Sequence, residues 1–200
     1  MKYTTHLTTS LSVCLPVLVT TGNFTMGNVA AVALGSLLPD IDEPRSWIGR
    51  RTRGISDLIH MYFGHRGITH SLLGVILAMI PILLLVLLTS ISLTNGSYLI
   101  LGYFLHLIED SFSKKGIKWL LPLSDKSFQS GFTVIYYSYN SIAEDIILLL
   151  SAFIMFFEFY LYGMPSFGDW TLIDIVNVMT SLIEKIISSL INGFMEQMNV

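Results

Sequence analysis

Charge and cysteine are what this chain has little of. Only 12% of its 200 residues are charged, 11 Lys+Arg against 14 Asp+Glu, whereas soluble domains carry about 25%. The net charge of -3 gives no reason to expect nucleic-acid binding. A single cysteine, Cys14, excludes an internal disulfide and a Cys-rich zinc knuckle. Any metal must therefore be held by nitrogen and oxygen donors. No internal repeat or low-complexity tract stands out.

What the chain has in excess is apolar surface: 52% of residues are hydrophobic and the mean hydropathy is +0.66. This composition reads as an integral membrane protein. Residues 72–93 form an almost unbroken run of Leu, Ile, Val, Ala and Met, long enough to cross a hydrocarbon core of about 30 Å, with Pro81 inside it. The turn signal Asn95-Gly96-Ser97 follows, and residues 98–108 return as a second helix. Residues 7–21 and 27–38 read as a helical hairpin, and residues 142–162 as a further span with tyrosines at its edges. A cleaved leader would need an apolar core, and 12–19 is weak, Thr-flanked and broken by Pro16, so residues 1–21 are kept in the mature protein. The expected fold is all-α: a polytopic membrane helical bundle of four to five membrane-embedded helices over 1–165, with 166–200 as a C-terminal amphipathic helix. In that tail, apolar residues from Ile173 to Ile191 recur at three-to-four spacing.

Loop charge gives an orientation. Arg45, Arg50, Arg51, Arg53 and Arg66 lie before the first strong span, and Lys114, Lys115, Lys118 and Lys126 follow the return helix. By the positive-inside rule both loops face the cytoplasm. That arrangement brings the histidine and aspartate clusters, with His6, to one membrane face, where a divalent metal is the compensation best suited to them.

Spacing adds chemistry. His106 and Asp110 are four apart and project from one side of a helix. Pro39 encourages an extended exit in which the carboxylates of Asp40 and Asp42 share a side. His65 and His70 are five apart, off one helical face, so Gly64 and Gly67 mark a non-helical turn that lets both converge. Arg66 between them suits an anion such as phosphate. His60 has no carboxylate partner at a clear spacing and reads as a solvated or capped side chain.

These residues carry a resemblance. The stretches 37–46, 63–71 and 101–110, with Gly116 and Trp119-Leu120-Leu121-Pro122, resemble the YdjM family, and the match runs from about His6 to Glu144. The resemblance implies a multi-pass protein of the inner (cytoplasmic) membrane, a metal-dependent hydrolase, in a family whose name also records association with the LexA repressor of the SOS response. It further implies His6, Asp40, Asp42, His65, His70, His106 and Asp110 as the polar centre. Glu144 matches an acidic position that follows Gly-Ser in the family, where this chain reads Ser138-Tyr139-Asn140-Ser141. A more distant similarity is to helical zinc phospholipases C and nucleases, and it makes phosphoester hydrolysis the preferred reaction.

The expected function is hydrolysis of a phosphoester or lipid headgroup at the cytoplasmic face. One or more divalent ions, zinc first, would lower the pKa of a water and stabilise developing negative charge. Asp40 or Asp42 would act as general base and Arg66 would neutralise the substrate anion. The rival reading is a non-catalytic protein with a structural metal that docks a repressor, and it predicts a closed coordination shell. A small transporter would need polar groups near mid-bilayer, whereas here they gather at span ends.

Overall fold

The computed structural model describes residues 1–89, 91–132, 134, 136–163, 180, 184 and 188. The chain divides into two compact units, Met1–Tyr162 and Gly163–Val200. In the second, Thr180, Glu184 and Ser188 are helical and exposed. The apolar positions of the expected tail helix lie outside the described residues.

In the first unit the order is α1 (Tyr3–Thr20), α2 (Met26–Gly35), a 3₁₀ turn (Leu38–Asp42), α3 (Arg53–Phe63), a second 3₁₀ turn (Ile68–His70), α4 (Leu72–Leu88), α5 (Leu93–Ser111) and α6 (Ile142–Tyr162). The all-α expectation holds: among the described residues the only pairings of β type are the isolated bridges Ser113 with Tyr137 and Ile117 with Phe128. Local chemistry starts the helices. The Thr25 side chain accepts from the Asn28 amide at the head of α2, Ser71 does so from Gly74 for α4, and Ser92 with Asn95 forms a capping box for α5. Gly22, at φ +68°, makes the turn between α1 and α2.

The core is built where α1 packs on α2 and α5. Leu11, Cys14, Leu15 and Leu18 of α1 meet Val29 and Val32 of α2 and Tyr98 of α5, each fully buried leucine contributing about 2 kcal/mol by removal from water. Two glycines set how closely α2 and α5 approach. A Cβ on Gly35 would lie 2.1 Å from the Leu99 carbonyl oxygen, and one on Gly102 would lie 2.3 Å from that of Val32. This close crossing carries the end of α2 against the last turns of α5, where the polar residues are.

The expected polytopic, multi-pass bundle is corrected: among the described residues no helix is long and apolar enough to cross a membrane. The run expected to span over residues 72–93 stops early. Helix α4 is 17 residues and ends at Leu88, because Thr89 turns extended, at φ -131° and ψ 178°, and its hydroxyl donates back to the Leu85 carbonyl at 2.5 Å. Helix α1 is rich in threonine and serine, α2 has 10 residues, and α6 carries Glu144, Asp145 and Glu158. The 3₁₀ turn at Leu38–Asp42 also replaces the expected extended exit. Pro39 sits at the start of that turn, where its fixed φ suits a helical conformation.

Candidate metal centre

Three histidines from three elements converge. His6 comes from α1, His106 from α5 and His70 from the second 3₁₀ turn, and all three are fully buried. Each Nδ1 is committed to an acceptor. His106 Nδ1 donates to the Ser36 carbonyl at 2.7 Å, His70 Nδ1 faces Asp42 Oδ2 at 3.0 Å, and His6 Nδ1 faces Glu109 Oε2 at 2.5 Å. A neutral ring whose Nδ1–H is donated outward presents its Nε2 lone pair inward. His106 is thereby grouped with His6 on one side and with His70 on the other.

Two carboxylates complete the cluster. His70 Nε2 lies 3.2 Å from His106 Nε2 and 3.7 Å from Asp40 Oδ1, and His106 Nε2 lies 3.6 Å from the same oxygen. Asp110 Oδ2 is 3.6 Å from His70 Nε2 and 4.0 Å from His106 Nε2, its i,i+4 neighbour on α5. His6 Nε2 is buried, makes no hydrogen bond and sits 3.5 Å from Asp110 Oδ1. Donors about 2.0–2.1 Å from one ion stand about 3.3 Å apart in a tetrahedral site, close to the shorter of these separations. Three overlapping groups meet the requirements for holding an ion: His6, Asp40 and His106; His70, His106 and Asp110; and Asp40, Asp42 and His70.

The electrostatics fit the same arrangement. Burial holds His106 down, to about 3, with His6 adding to the effect, so its ring stays neutral. Burial opposes charge on His70 too, but the Asp42 carboxylate outweighs it and raises the group to about 9. Burial would raise Asp40 and Asp42, yet the neighbouring histidines hold both well below the usual carboxylate range.

The remaining expected residues fall in different places. Asp42 is saturated: it accepts from His65 Nδ1 at 3.0 Å, the Arg66 amide at 2.9 Å, the Thr69 hydroxyl and His70 Nδ1. His65 is exposed and turned to Asp42, away from the donor cluster. The turn expected from Gly64 and Gly67 is present, with Gly64 at φ +67° and Arg66 at φ +59°, and it delivers His70 but not His65. The Arg66 guanidinium pairs with Asp110 Oδ2 at 2.6 Å and donates to Ser113 Oγ at 2.6 Å. Glu144 is buried outside the cluster, accepting from the Lys2 and Asn140 amides. His60 Nδ1 donates to the Asp42 backbone carbonyl at 2.7 Å.

Sequence reasoning missed the groups that orient the ligands. Glu109 reads as a residue ending a span, yet it holds His6 and also accepts from Ser10 at 2.8 Å. Its signal was its place beside Asp110 on a helix. Tyr137 donates to Asp110 Oδ1 at 2.8 Å from a distant loop, and Ser36 acts through its backbone oxygen, which no side-chain pattern reveals.

A cleft of about 830 Å³ leads from the surface to Asp40 and Asp110. Its walls include Arg45, Arg50, Arg66, Lys114 and Lys115. The cluster is thus reached through a basic passage.

The sequence model described as YdjM inner membrane protein matches residues 1–167. The chain is 38% identical over 102 residues to the inner membrane protein YdjM of Escherichia coli (strain K12), covering 47% of this chain and 48% of that protein, and equally to that of Shigella flexneri. It is 39% identical over 94 residues to the uncharacterized protein YvsG of Bacillus subtilis (strain 168), covering 46% of this chain and 56% of that one. The matched stretch spans about half the length of these relatives. No solved structure matches the chain.

Proposed function

Because the chain belongs to the YdjM inner membrane protein family and five donors, four of them buried, lie together at the end of a basic cleft, we propose a divalent-metal-dependent hydrolase of phosphoesters or lipid headgroups. The observation that carries this reading is the set of three inward Nε2 atoms, each on a ring fixed by an outward Nδ1 partner. Two Nε2 atoms facing one another at 3.2 Å need a proton or a metal ion between them, and the carboxylates beside them suit the metal. Nitrogen and carboxylate donors without thiolates suit zinc, which needs no redox partner.

His6, His70, His106, Asp40 and Asp110 are the residues that would hold the ion. When bound, such an ion supplies Lewis acidity and a water acidified toward neutrality. Asp40 reaches both the cluster and the cleft, and the carboxylate oxygen it does not give to the ion would be the one to accept a proton from a nucleophile. Asp42 has its lone pairs filled and serves to orient His70. Arg66 lines the cleft and is held there by Asp110 and Ser113, so a substrate oxygen entering the cleft would meet a fixed positive charge. The basic side chains around the cleft suit the anionic surface of the cytoplasmic leaflet.

The test joins metal analysis of the purified protein to hydrolysis of phospholipids and soluble phosphoesters with and without chelator. Stoichiometric metal and chelator-sensitive release are expected. Bound metal without turnover of any substrate in the panel would refute the catalytic half and favour a structural ion in a protein that docks a regulatory partner.

A further inference from the structure

Helix α3 is amphipathic in the opposite sense to a surface helix of a soluble protein. At about 100° per residue, Ser56, Ile59 and His60 share one side of Arg53–Phe63, the side that meets the protein, with Ile59 half-buried and His60 still exposed. Ser56 is fully buried, and His60 Nδ1 donates to the Asp42 carbonyl at 2.7 Å. The other side carries Ile55, Leu58, Met61 and Tyr62, which are 59%, 55%, 65% and 73% exposed. A helix ordinarily buries its apolar stripe and shows its polar one to water. Here His60 holds the end of the first 3₁₀ turn, and the apolar stripe is left outside.

The flanks say what covers it. Arg45, Arg50, Arg51 and Arg53, in the segment that leads into α3, are all exposed, Arg51 over the Trp47 ring, against one exposed acid on the helix, Asp57. A second copy of the chain seated on the same face would bring arginine against arginine. A bilayer with anionic headgroups offers hydrocarbon to the apolar residues and phosphate to the arginines, the combination that holds an interfacial helix about 5–10 Å into the headgroup boundary. We infer that α3 is an interfacial helix that seats on an anionic lipid surface through Ile55, Leu58, Met61 and Tyr62, with the 45–53 arginines on the headgroups. Arg45 and Arg50 also line the cleft to Asp40 and Asp110, so this seating brings the mouth of the cleft to headgroup level. The inference stands whether or not the metal centre turns over a substrate.

The test places an environment-sensitive fluorophore on a single cysteine in the full chain with Cys14→Ala, at Leu58→Cys or Tyr62→Cys on the apolar side and at Asp57→Cys as the reference. The protein is reconstituted in vesicles of phosphatidylglycerol and, separately, of phosphatidylcholine, and circular dichroism with a cooperative thermal melt checks that each variant is folded. In phosphatidylglycerol, labels at 58 and 62 should be blue-shifted and quenched severalfold more by lipid-borne quenchers than the label at 57, and the difference should shrink in phosphatidylcholine or high salt. Equal quenching of all three positions by an aqueous quencher overturns the inference. So does energy transfer between labels on separate copies without lipid quenching, which would assign the face to self-association, and so does equal depth in both lipids, which would remove the role of the arginines.

Discussion

His70 and His106 meet Nε2 to Nε2 at 3.2 Å while their Nδ1 atoms face Asp42 and the Ser36 carbonyl. Two imidazoles held this way need a cation between them, a proton or a metal. Replacing His106 with Ala removes one donor and leaves Ser36 without its partner, so bound metal should drop to background. His60→Ala, outside the cluster, should keep its metal. Elemental analysis of the two purified variants decides, and full metal content in His106→Ala would sink the centre as described.

The proton and the metal compete, and the sign of that competition is measurable. In metal-free protein His70 is raised to about 9 from 6.5, against burial and chiefly by Asp42. A raised group contributes stability that is fully present below its unfolded pKa and is lost as pH rises through the folded one. The chelated protein should therefore lose thermal stability between about pH 6.5 and 9. Asp40 and Asp42, held low, act in the other direction: their contribution is present above about pH 4 and is lost as pH falls. Metal must displace the His70 proton, so the loaded protein should gain over the chelated one across the same alkaline window. Melting curves with zinc and with chelator at several pH values check this, and a gap that narrows as pH rises contradicts it.

Glu109 and Glu144 separate an orienting role from a merely structural one. Glu109 fixes the His6 ring through a 2.5 Å contact, and loss of such a partner typically lowers metal affinity about 10–100-fold. Glu109→Gln should show a fall of that order in competitive chelator titration. Glu144→Gln should leave affinity unchanged, because its carboxylate holds the Lys2 and Asn140 amides and meets no ligand. An equal loss in both variants would mean that Glu144 belongs to the centre after all.

The legibility of this site in the sequence follows the range of each interaction. His106 and Asp110 are readable because helical period alone puts them on one side. The glycine-marked turn before His70 is readable because a positive φ leaves a residue signature, at Gly64. The partner of each Nδ1 is not, since Glu109, Asp42 and Ser36 are selected by how α1, α5 and the 3₁₀ turn pack. The membrane spans were misread for a related reason. Composition reports how much apolar surface exists, while the lengths of the helices are fixed by local events such as the Thr89 hydroxyl bonding back to Leu85. Helix α3 escaped notice because an amphipathic period is silent about which side the protein takes.

Gly102 links the fold to the centre and yields the last prediction. Its Cα hydrogen faces the α2 backbone so closely that a Cβ would stand 2.3 Å from the Val32 carbonyl oxygen and 2.9 Å from the Ser36 amide nitrogen. Backbone cannot step aside as a flexible side chain does, so Gly102→Ala must push α2 and α5 apart. Overpacking of this kind costs about 1–3 kcal/mol. The displaced segment includes Ser36, whose carbonyl holds His106 at 2.7 Å, so the same substitution should loosen the ring and weaken metal binding although residue 102 touches no ligand. Thermal melts and chelator titration of one sample test both effects. A destabilised variant with unchanged metal affinity would show that the α2–α5 spacing supports the fold without positioning His106.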